Sequence, residues 1–161
     1  MIDPVNKNQF SSTTSAGFQR PFWVAAASTG KIYITNVGAN WVSVIDPANG
    51  YQVSTITAPS IQSPRGVAVA GDGKVYVANA AGNSVSVINP ADNNSVTAVS
   101  SASFEGPAGV AVASDGKVYV ANYNGNSVSV IDPAANNRVT TILDASLQSP
   151  RGVAAAADGK V

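Results

Sequence analysis

The chain has 161 residues, of which 45% are apolar and 11% are charged, and its nine basic and nine acidic side chains cancel to a formal net charge of zero. A neutral chain without a basic block has no electrostatic footprint for nucleic acid, so no nucleic-acid partner is expected. The absence of cysteine and histidine excludes thiolate catalysis, disulfide bonds, Cys/His zinc sites and histidine acid–base chemistry. No apolar run approaches the roughly 18 to 20 residues of a membrane-spanning helix, so no membrane insertion is expected.

A unit of 43 residues repeats along the chain without insertion or deletion. Three sets of residues keep this spacing: Pro21, Pro64, Pro107 and Pro150; Gly30-Lys31, Gly73-Lys74, Gly116-Lys117 and Gly159-Lys160; Ile2-Asp3-Pro4, Ile45-Asp46-Pro47, Ile88-Asn89-Pro90 and Ile131-Asp132-Pro133. A fixed period of this length indicates a repeat architecture, in which each unit buries its faces only against its neighbours.

Each unit predicts four short β-strands. In the unit that starts at Pro64 they are predicted, in chain order, at Gly66–Ala70, Lys74–Asn79, Ser84–Ile88 and Ser95–Val99. The segments between them contain Asp-Gly, Gly-Asn and Pro followed by Asn-Asn, which are turn-forming combinations. Serine alternates with branched apolar residues in the third strand, a pattern typical of a half-buried strand. No segment shows a helical period with caps, so the predicted fold is all-β.

Such a four-stranded meander cannot bury its faces alone. Stacking the sheets face to face around an axis buries both faces and leaves only short edges. The sequence therefore predicts a β-propeller of four-stranded antiparallel blades, with a solenoid as the structural competitor. Three complete blades with partial blades at both ends would form an incomplete ring. The predicted division is an outer strand of a preceding blade at 1–20, blades at 21–63, 64–106 and 107–149, and an inner strand of a truncated blade at 150–161.

One family pattern runs through the units. Asp115-Gly116-Lys117-Val118-Tyr119-Val120-Ala121-Asn122, followed by Asn126-Ser127-Val128-Ser129-Val130-Ile131-Asp132, resembles the YVTN β-propeller repeat, with Tyr-Val-Ala-Asn in place of Tyr-Val-Thr-Asn. The sequence is also similar, more loosely, to NHL repeats. The YVTN resemblance covers essentially the whole chain. It implies a propeller that is often exported or on the cell surface, and it implies no shared catalytic residues.

The partial blades do not complete each other in sequence. Met1 corresponds to Val44 and Val161 to Val75, so the end units together lack most of a second strand and the start of a third. We expect a fragment of a longer propeller whose N-terminus is missing. The alternative is a piece that forms a homo-oligomer through its unpaired terminal strands and an uncovered blade face.

Positions where the units differ are free for function. Arg65 and Arg151 share one position just before the inner strand, where loops face one mouth of the central channel, and Arg20 could join the same rim. Arginines there could bind carboxylate or phosphate groups bidentately, or they could be solvated surface residues. Glu105 stands where the other units have glutamine. It is a further candidate binding residue, and an ion pair with a neighbouring arginine is the expected role of its carboxylate.

Three aromatic residues also depart from the repeat. Trp23 takes a glycine position and Trp41 a serine position, while Tyr123 replaces Ala80 in the loop after the second strand. They could stack on a sugar or peptide, or pack against whatever precedes residue 21.

Other recurring residues are attributed to the fold. The sequence predicts buried core residues at Tyr33, Tyr76 and Tyr119 and buried loop anchors at Phe18, Ile61, Phe104 and Leu147. The aspartates before the turn prolines (Asp3, Asp46, Asp132) and those at the hairpin tips (Asp72, Asp115, Asp158) are interpreted as turn formers.

The leading functional hypothesis is a non-enzymatic binding or scaffold propeller, exported or displayed, that recognises a protein, glycan or small anionic ligand at one channel mouth. No metal, cofactor or catalytic residue is expected in this chain. One alternative is part of a propeller enzyme of the lyase, lactonase or cofactor-dependent dehydrogenase type, whose catalytic residues lie on blades absent from this chain. The other is a self-assembling fragment that forms a homo-oligomeric ring. The start of the chain lacks a signal-peptide pattern, so an extracellular, periplasmic or surface location requires a missing upstream segment.

Overall fold

The computed structural model describes residues 2–3, 9–10, 16–156, 158 and 160–161. In this part of the chain there are one two-stranded and three four-stranded sheets, all antiparallel. The two-stranded sheet contains β1 (Ile2–Asp3) and β2 (Gln9–Phe10). The four-stranded sheets, which we call blades 1, 2 and 3, contain β3 (Pro21–Ala26), β4 (Ile32–Asn36), β5 (Trp41–Asp46) and β6 (Gln52–Thr57); β7 (Pro64–Val69), β8 (Val75–Asn79), β9 (Ser84–Asn89) and β10 (Ser95–Ser100); and β11 (Pro107–Val112), β12 (Val118–Asn122), β13 (Ser127–Asp132) and β14 (Arg138–Leu143).

Each blade is a simple up-and-down meander with sequential strands as neighbours. The inner strands β3, β7 and β11 lie side by side, so blade 2 is flanked by blade 1 and blade 3. This arrangement confirms the prediction of an all-β propeller of four-stranded blades. The predicted strands of the 64–106 unit differ from β7 to β10 only by one or two residues at their ends.

The hydrophobic core lies between blades. One cluster joins Tyr33, Val42 and Val44 of blade 1 to Val67 and Val75 of blade 2, and a second cluster joins blade 2 to blade 3 in the same way. Within β8, alternate side chains enter the two clusters, and all five residues of the strand are buried. Stacking against a neighbour on both faces therefore stabilises the middle blade, as the repeat requires.

Glycine permits the inner strands to approach closely. A Cβ atom on Gly66 would lie 2.5 Å from the carbonyl oxygen of Ala108 and 2.9 Å from the amide nitrogen of Val110. Gly109 meets the backbone of Arg151 and Gly152 at similar distances. The backbone of each inner strand thus packs directly on the next segment, in a space that no side chain can share.

A buried polar network crosses each blade. The side-chain amide of Asn79 donates to the Ser86 hydroxyl over 2.9 Å, and Asn36 with Ser43 and Asn122 with Ser129 form the same pair at 2.9 and 2.8 Å. Ser86 also bonds the Ser60 hydroxyl of the loop before the blade. The serines of the third strand are therefore buried, which corrects the prediction that this strand is half-buried. Their hydroxyls are tolerated inside because they are hydrogen-bonded.

Two predictions of full burial are wrong at the ends of the blade stack. Tyr33 and Tyr76 are buried, but Tyr119 is only half-buried. Among the loop anchors Ile61 and Phe104 are buried, whereas Phe18 and Leu147 are half-buried. The cause is the same for Tyr119, Phe18 and Leu147, since each of these half-buried residues has a complete blade on one side only.

The turn assignments are confirmed where side chains are described. The Asp46 carboxylate accepts from the Ala48 N–H over 3.1 Å, Asp132 accepts from Ala134 and Ala135, and Asn89 accepts from Ala91 in the same position. Asp72, Asp115 and Asp158 each accept from the backbone N–H of the lysine two residues later. The Asp3 side chain lies outside the described part of the chain.

The terminal segments keep part of the repeat geometry. Ile2 pairs with Phe10 and Asp3 with Gln9, the register of Ile45 with Val53 and Asp46 with Gln52. The rest of the outer strand predicted within 1–20 falls largely on residues outside those described. Residues 151–156 are not paired with a second strand, but Arg151 and Gly152 lie against Gly109 as β11 lies against Gly66, and the Ala156 N–H donates to the Lys160 carbonyl as in the other hairpins. In the other units this segment pairs with the second strand, which begins at the position of Val161. No helix in the described residues is long and apolar enough to cross a membrane.

Candidate functional site

The candidate site lies on the side of the blades where the inner strands begin, which we call the entry face. Pro64 at the start of β7 is paired with Asn79 at the end of β8. The loop before each blade and the loop after each second strand therefore meet at this face. Their sequences vary among the units, while the second and third strands of blades 2 and 3 hardly change.

A hydrogen bond between blades positions these loops. Asn83, in the loop after β8, accepts from the Gly106 N–H over 2.8 Å, and Gly106 is the residue before β11. Asn40 accepts from Ser63 over 2.9 Å and Asn126 from Ser149 over 2.7 Å in the same manner. We call these three bonds the asparagine latches. They fix the segments that lead into β7, β11 and Pro150 against the preceding blade.

Left-handed backbone precedes each inner strand. Arg20, Ser63, Gly106 and Ser149 have φ angles between 46° and 60°. At Gly106 a Cβ atom would lie 2.6 Å from the Asn124 side chain, so a larger residue there requires that side chain to move.

A shallow depression of about 250 Å³ opens between blades 2 and 3 on this face. Its lining contains Ser63, Arg65, Ala80 and Ala81 from blade 2 and its approach loop, and Gly106, Tyr123 and Asn124 from blade 3 and its approach loop. The Arg65 side chain is half-buried, and its backbone carbonyl accepts a hydrogen bond from the Thr35 hydroxyl of blade 1. Blade 1 thus holds the backbone from which Arg65 extends.

Tyr123 links the two predicted arginines. The Arg151 guanidinium carbon lies 4.7 Å from the centre of the Tyr123 ring, and its Nη2 donates to the Tyr123 hydroxyl over 3.3 Å. Tyr123 also lines the depression that contains Arg65. The structure therefore brings Arg65, Tyr123 and Arg151 to one rim, with the tyrosine between the two cations.

Glu105 stands beside this rim but is not paired as expected. Its backbone carbonyl accepts from Asn124 and Gly125, while its side chain is exposed and forms no ion pair with any described residue. The ion pair predicted for Glu105 is therefore not formed with any residue in the described part of the chain. Within the described residues Arg65 and Arg151 have no carboxylate partner either.

The other predicted site residues lie in blade 1 and its approach loop. The Arg20 carbonyl accepts from Val37, and a Cβ on Gly38 would lie 3.0 Å from its aliphatic chain. The Trp41 indole N–H donates to the Gly17 carbonyl over 2.9 Å. Neither residue lines the depression between blades 2 and 3.

Trp23 occupies the close-approach position that glycine fills in blades 2 and 3. The hydroxyl of Thr35, which replaces the alanine of the other units, bonds the Trp23 backbone and the Arg65 carbonyl. The Trp23 ring lies 6.4 Å from that of Phe22 on an exposed face of blade 1. Trp23 therefore belongs to a different surface from the Arg65–Tyr123–Arg151 rim.

The latch asparagines are the positioning residues that sequence reasoning missed. They recur at the 43-residue spacing, which is a signal that the sequence contains. Their partners are backbone N–H groups of the next unit. Because nearly every residue has such a group, the sequence does not show which one accepts the role of donor to the asparagine. The chemistry of the rim is that of two guanidinium groups and a phenol, suited to bind an anion. In the described part of the chain no three Asp or Glu side chains are grouped so that they could hold one metal ion.

Comparison with known proteins agrees with this architecture. The NHL repeat pattern matches residues 104–131, and no curated protein sequence matches the chain. Kuenenia stuttgartiensis hydrazine synthase has a similar structure at 27% identity, with a TM-score of 0.78 over 94% of this chain and 43% of that chain.

Two further structures are similar at lower identity. A catalytically inactive virginiamycin B lyase from Staphylococcus aureus with quinupristin aligns at 18% identity, with a TM-score of 0.76 over 86% of this chain and 46% of that chain. A nidogen/laminin complex aligns at 16% identity, with a TM-score of 0.72 over 84% of this chain and 52% of that chain. This chain spans about half or less of the length of each. The class that fold and comparisons define is the β-propeller.

Proposed function

We propose that the chain is part of a non-enzymatic binding propeller of the YVTN type, exported or surface-displayed, whose entry face recognises a small anionic ligand. The observation that carries the proposal is the rim at which Tyr123 lies between Arg65 and Arg151. Two guanidinium groups without a carboxylate partner in the described residues leave positive charge available for a carboxylate or phosphate.

The location of the rim supports the same function. Loops positioned by a rigid scaffold are where binding residues concentrate, and the latches hold these loops on stacked blades. Tyr123 supplies an apolar ring with a polar tip, a combination suited to orient a ligand at a surface. The depression is shallow and open, which fits an anionic group presented by a larger molecule as well as a small acid.

Binding of inorganic phosphate and citrate by the whole chain tests the proposal. Isothermal titration calorimetry at low salt should detect binding in the native chain, and the double substitution Arg65→Ala with Arg151→Ala should weaken it at least tenfold. The matched control is Arg138→Ala, because Arg138 lies at the start of β14, away from the entry face. If Arg138→Ala weakens binding as much as the double substitution, the effect comes from net charge alone. If the double variant binds as tightly as the native chain, the anion does not bind at this rim.

A second candidate is association with a second copy of the chain. Phe22 and Val24 on blade 1 and Ile142 and Leu143 on blade 3 are exposed, whereas the positions equivalent to Val24 and Ile142 are buried between blades. Because the units share one sequence, blade 3 of one copy could pack on blade 1 of another. Sedimentation should then show one oligomer of defined mass that Phe22→Ser reduces to monomer; a native chain that is already monomeric would exclude it.

A further inference from the structure

One buried asparagine carboxamide beneath the entry face departs from the repeat. In blade 1 the Asn36 Oδ1 atom accepts from the Gln19 N–H over 2.8 Å, and in blade 2 the Asn79 Oδ1 atom accepts from the Gln62 N–H over 3.3 Å. These bonds tie the loop before each blade to the end of its second strand. The equivalent Oδ1 atom of Asn122 in blade 3 is buried and has no hydrogen-bond partner in the described part of the chain.

The Asn122 carboxamide is oriented as in the other blades. Its Nδ2 atom donates to the Ser127 and Ser129 hydroxyls over 3.1 and 2.8 Å, as the Nδ2 atom of Asn79 does to the equivalent serines of blade 2. The Oδ1 atom is therefore directed to the loop before blade 3, where the repeat places the Glu105 N–H as its donor. A buried acceptor without a donor is costly, so an arrangement of the loop that supplies one gains free energy at this point.

Two donors hold the Glu105 carbonyl in blade 3. It accepts from the Asn124 N–H over 3.1 Å and from the Gly125 N–H over 3.3 Å. In blade 1 the residue equivalent to Gly125 bonds within its own loop instead, since the Ala39 N–H donates to the Asn36 carbonyl. The additional bond to the Glu105 carbonyl thus accompanies the loss of the bond from the Glu105 N–H.

Two fixed points confine the change to one residue. Phe104 is 2% exposed in the core between blades 2 and 3, and the Asn83 latch holds the Gly106 N–H over 2.8 Å. Glu105 lies between these two points with an exposed side chain. Its N–H can therefore turn toward Asn122 while both neighbours keep their contacts.

The Asn124 side chain packs on this loop and also borders the anion site. A Cβ atom at Gly106 would lie 2.6 Å from the Asn124 Nδ2 atom and 2.8 Å from its Cγ atom, so the carboxamide occupies the space in which a serine would carry its Cβ. Asn124 and Gly106 line the entry-face depression together with Arg65 and Tyr123. Since a carboxamide N–H is a donor for carboxylate and phosphate oxygens, an anion bound at Arg65 can draw the Asn124 side chain away from Gly106.

We propose that the loop before blade 3 has two arrangements and that an anion in the depression selects the second. In the first arrangement the Gly125 N–H bonds the Glu105 carbonyl and the Asn122 Oδ1 atom is unpaired. In the second, the Asn124 carboxamide donates to the anion and the Gly125 N–H is released to solvent. The Glu105 N–H then bonds the Asn122 Oδ1 atom, as in blades 1 and 2. This coupling rests on the proposed anion binding, because a ligand shifts an equilibrium only through its different affinity for the two states.

Amide hydrogen exchange of the whole chain, followed by NMR, distinguishes the two arrangements. Without phosphate, the protection factor of the Glu105 amide should be about tenfold below that of the Gln62 amide, which bonds Asn79 at the same position of blade 2. Saturating inorganic phosphate should raise the protection factor of Glu105 about tenfold. The protection factor of Gln62 should stay unchanged, because its loop already has the second arrangement.

Gly106→Ser should fix the second arrangement without ligand. Its Cβ excludes the Asn124 carboxamide, and serine accepts this backbone conformation, since Ser63 has φ of 48° at the equivalent position. The Glu105 amide should then be protected in the absence of phosphate. Phosphate should bind about tenfold more tightly, because binding no longer has to shift the loop.

Asn124→Ala separates the loop from the ligand. Alanine stands at this position in blade 2, as Ala81. The variant should protect the Glu105 amide without phosphate, because nothing then competes for the space at Gly106. It should also weaken phosphate binding about tenfold, because one donor to the anion is lost. Ser63→Gly is the matched control in blade 2, and it should leave the exchange of Glu105 unchanged.

Three results would overturn the proposal. One is a Glu105 amide as well protected as Gln62 in the native chain without phosphate, and another is phosphate binding that leaves the exchange of Glu105 unchanged. The third is a Gly106→Ser variant whose Glu105 amide exchanges as in the native chain. If phosphate does not bind the native chain at all, the proposed anion binding fails. The exchange of Glu105 in the native chain and in Gly106→Ser, measured without ligand, then still decides whether the loop has two arrangements.

Discussion

The Asn83 carboxamide accepts a 2.8 Å hydrogen bond from the backbone N–H of Gly106, and this bond joins blade 2 to the first residue before blade 3. Substitution Asn83→Ala removes the acceptor and leaves a part-buried N–H unpaired. We expect a loss of about 1–2 kcal/mol in the free energy of unfolding, measured by urea denaturation.

Asn83 also has a left-handed backbone, with φ of 42°, so alanine adds strain of its own. Asn93→Ala is the matched control, because Asn93 has φ of 47° and its side chain makes no hydrogen bond with the described residues. The difference between the two variants measures the latch. Equal losses would show that the latch contributes nothing.

Gly66→Ala should destabilise the chain by about 1–3 kcal/mol, the range for overpacking a filled core. The added Cβ would lie 2.5 Å from the Ala108 carbonyl oxygen, which belongs to the neighbouring inner strand and cannot move alone. Gly71→Ala is the comparison, since its Cβ would meet nothing within 4 Å. Thermal unfolding of both variants checks the prediction, which fails if Gly66→Ala is as stable as Gly71→Ala.

Tyr51→Asn should stabilise the chain by about 0.5–1 kcal/mol, part of the roughly 1–2 kcal/mol that left-handed backbone costs a residue with a Cβ. Tyr51 has φ of 60°, and the equivalent residues Asn94 and Asn137 have φ of 58° and 57°. Asparagine tolerates this conformation better than tyrosine. Tyr51→Ala also removes the ring but does not tolerate left-handed backbone as asparagine does, so it should not raise the unfolding midpoint. If it raises the midpoint as much as Tyr51→Asn, loss of the ring and not the backbone conformation is the cause.

The hairpin at Asp72 predicts a pH dependence. Its hydrogen bond to the Lys74 side chain holds the pKa of Asp72 below its usual value. A carboxyl whose pKa is lower in the folded state stabilises above its unfolded pKa of about 3.9 and loses that contribution as pH falls through the folded value. The pair is on the surface, so the effect is below about 1 kcal/mol.

Asp72→Asn should therefore lower the unfolding midpoint at pH 7, and this deficit should shrink as the pH falls below the unfolded pKa of about 3.9. Asp92→Asn is the control, an exposed carboxylate without an ion pair among the described residues. A deficit in Asp72→Asn that stays constant from pH 7 to pH 2 would contradict the electrostatic origin.

The repeat made the fold predictable, because a period of 43 residues with turn residues at constant positions leaves few arrangements that bury every strand. The sequence could not indicate that Ser86 is buried, since a serine that alternates with valine reads the same on a solvent face and inside a polar network with Asn79. Tyr119 shares its sequence context with Tyr76, and it differs in exposure only through what lies beside its blade.

The candidate site was predictable only in part. The shared position of Arg65 and Arg151 follows from the repeat, and so does the mouth that they face. The Tyr123–Arg151 stack does not, since it depends on how far the loop of blade 3 reaches toward the next segment.

The asparagine latches have a consequence for how such a chain can change in length. Each takes its donor from the main chain, and every amino acid except proline supplies that donor, so Ser63, Gly106 and Ser149 are interchangeable partners. A duplicated or deleted unit therefore meets a compatible neighbour at once, without a second mutation. Growth by whole copies would keep this bond intact, and the constant 43-residue spacing of the units is what that route would leave behind.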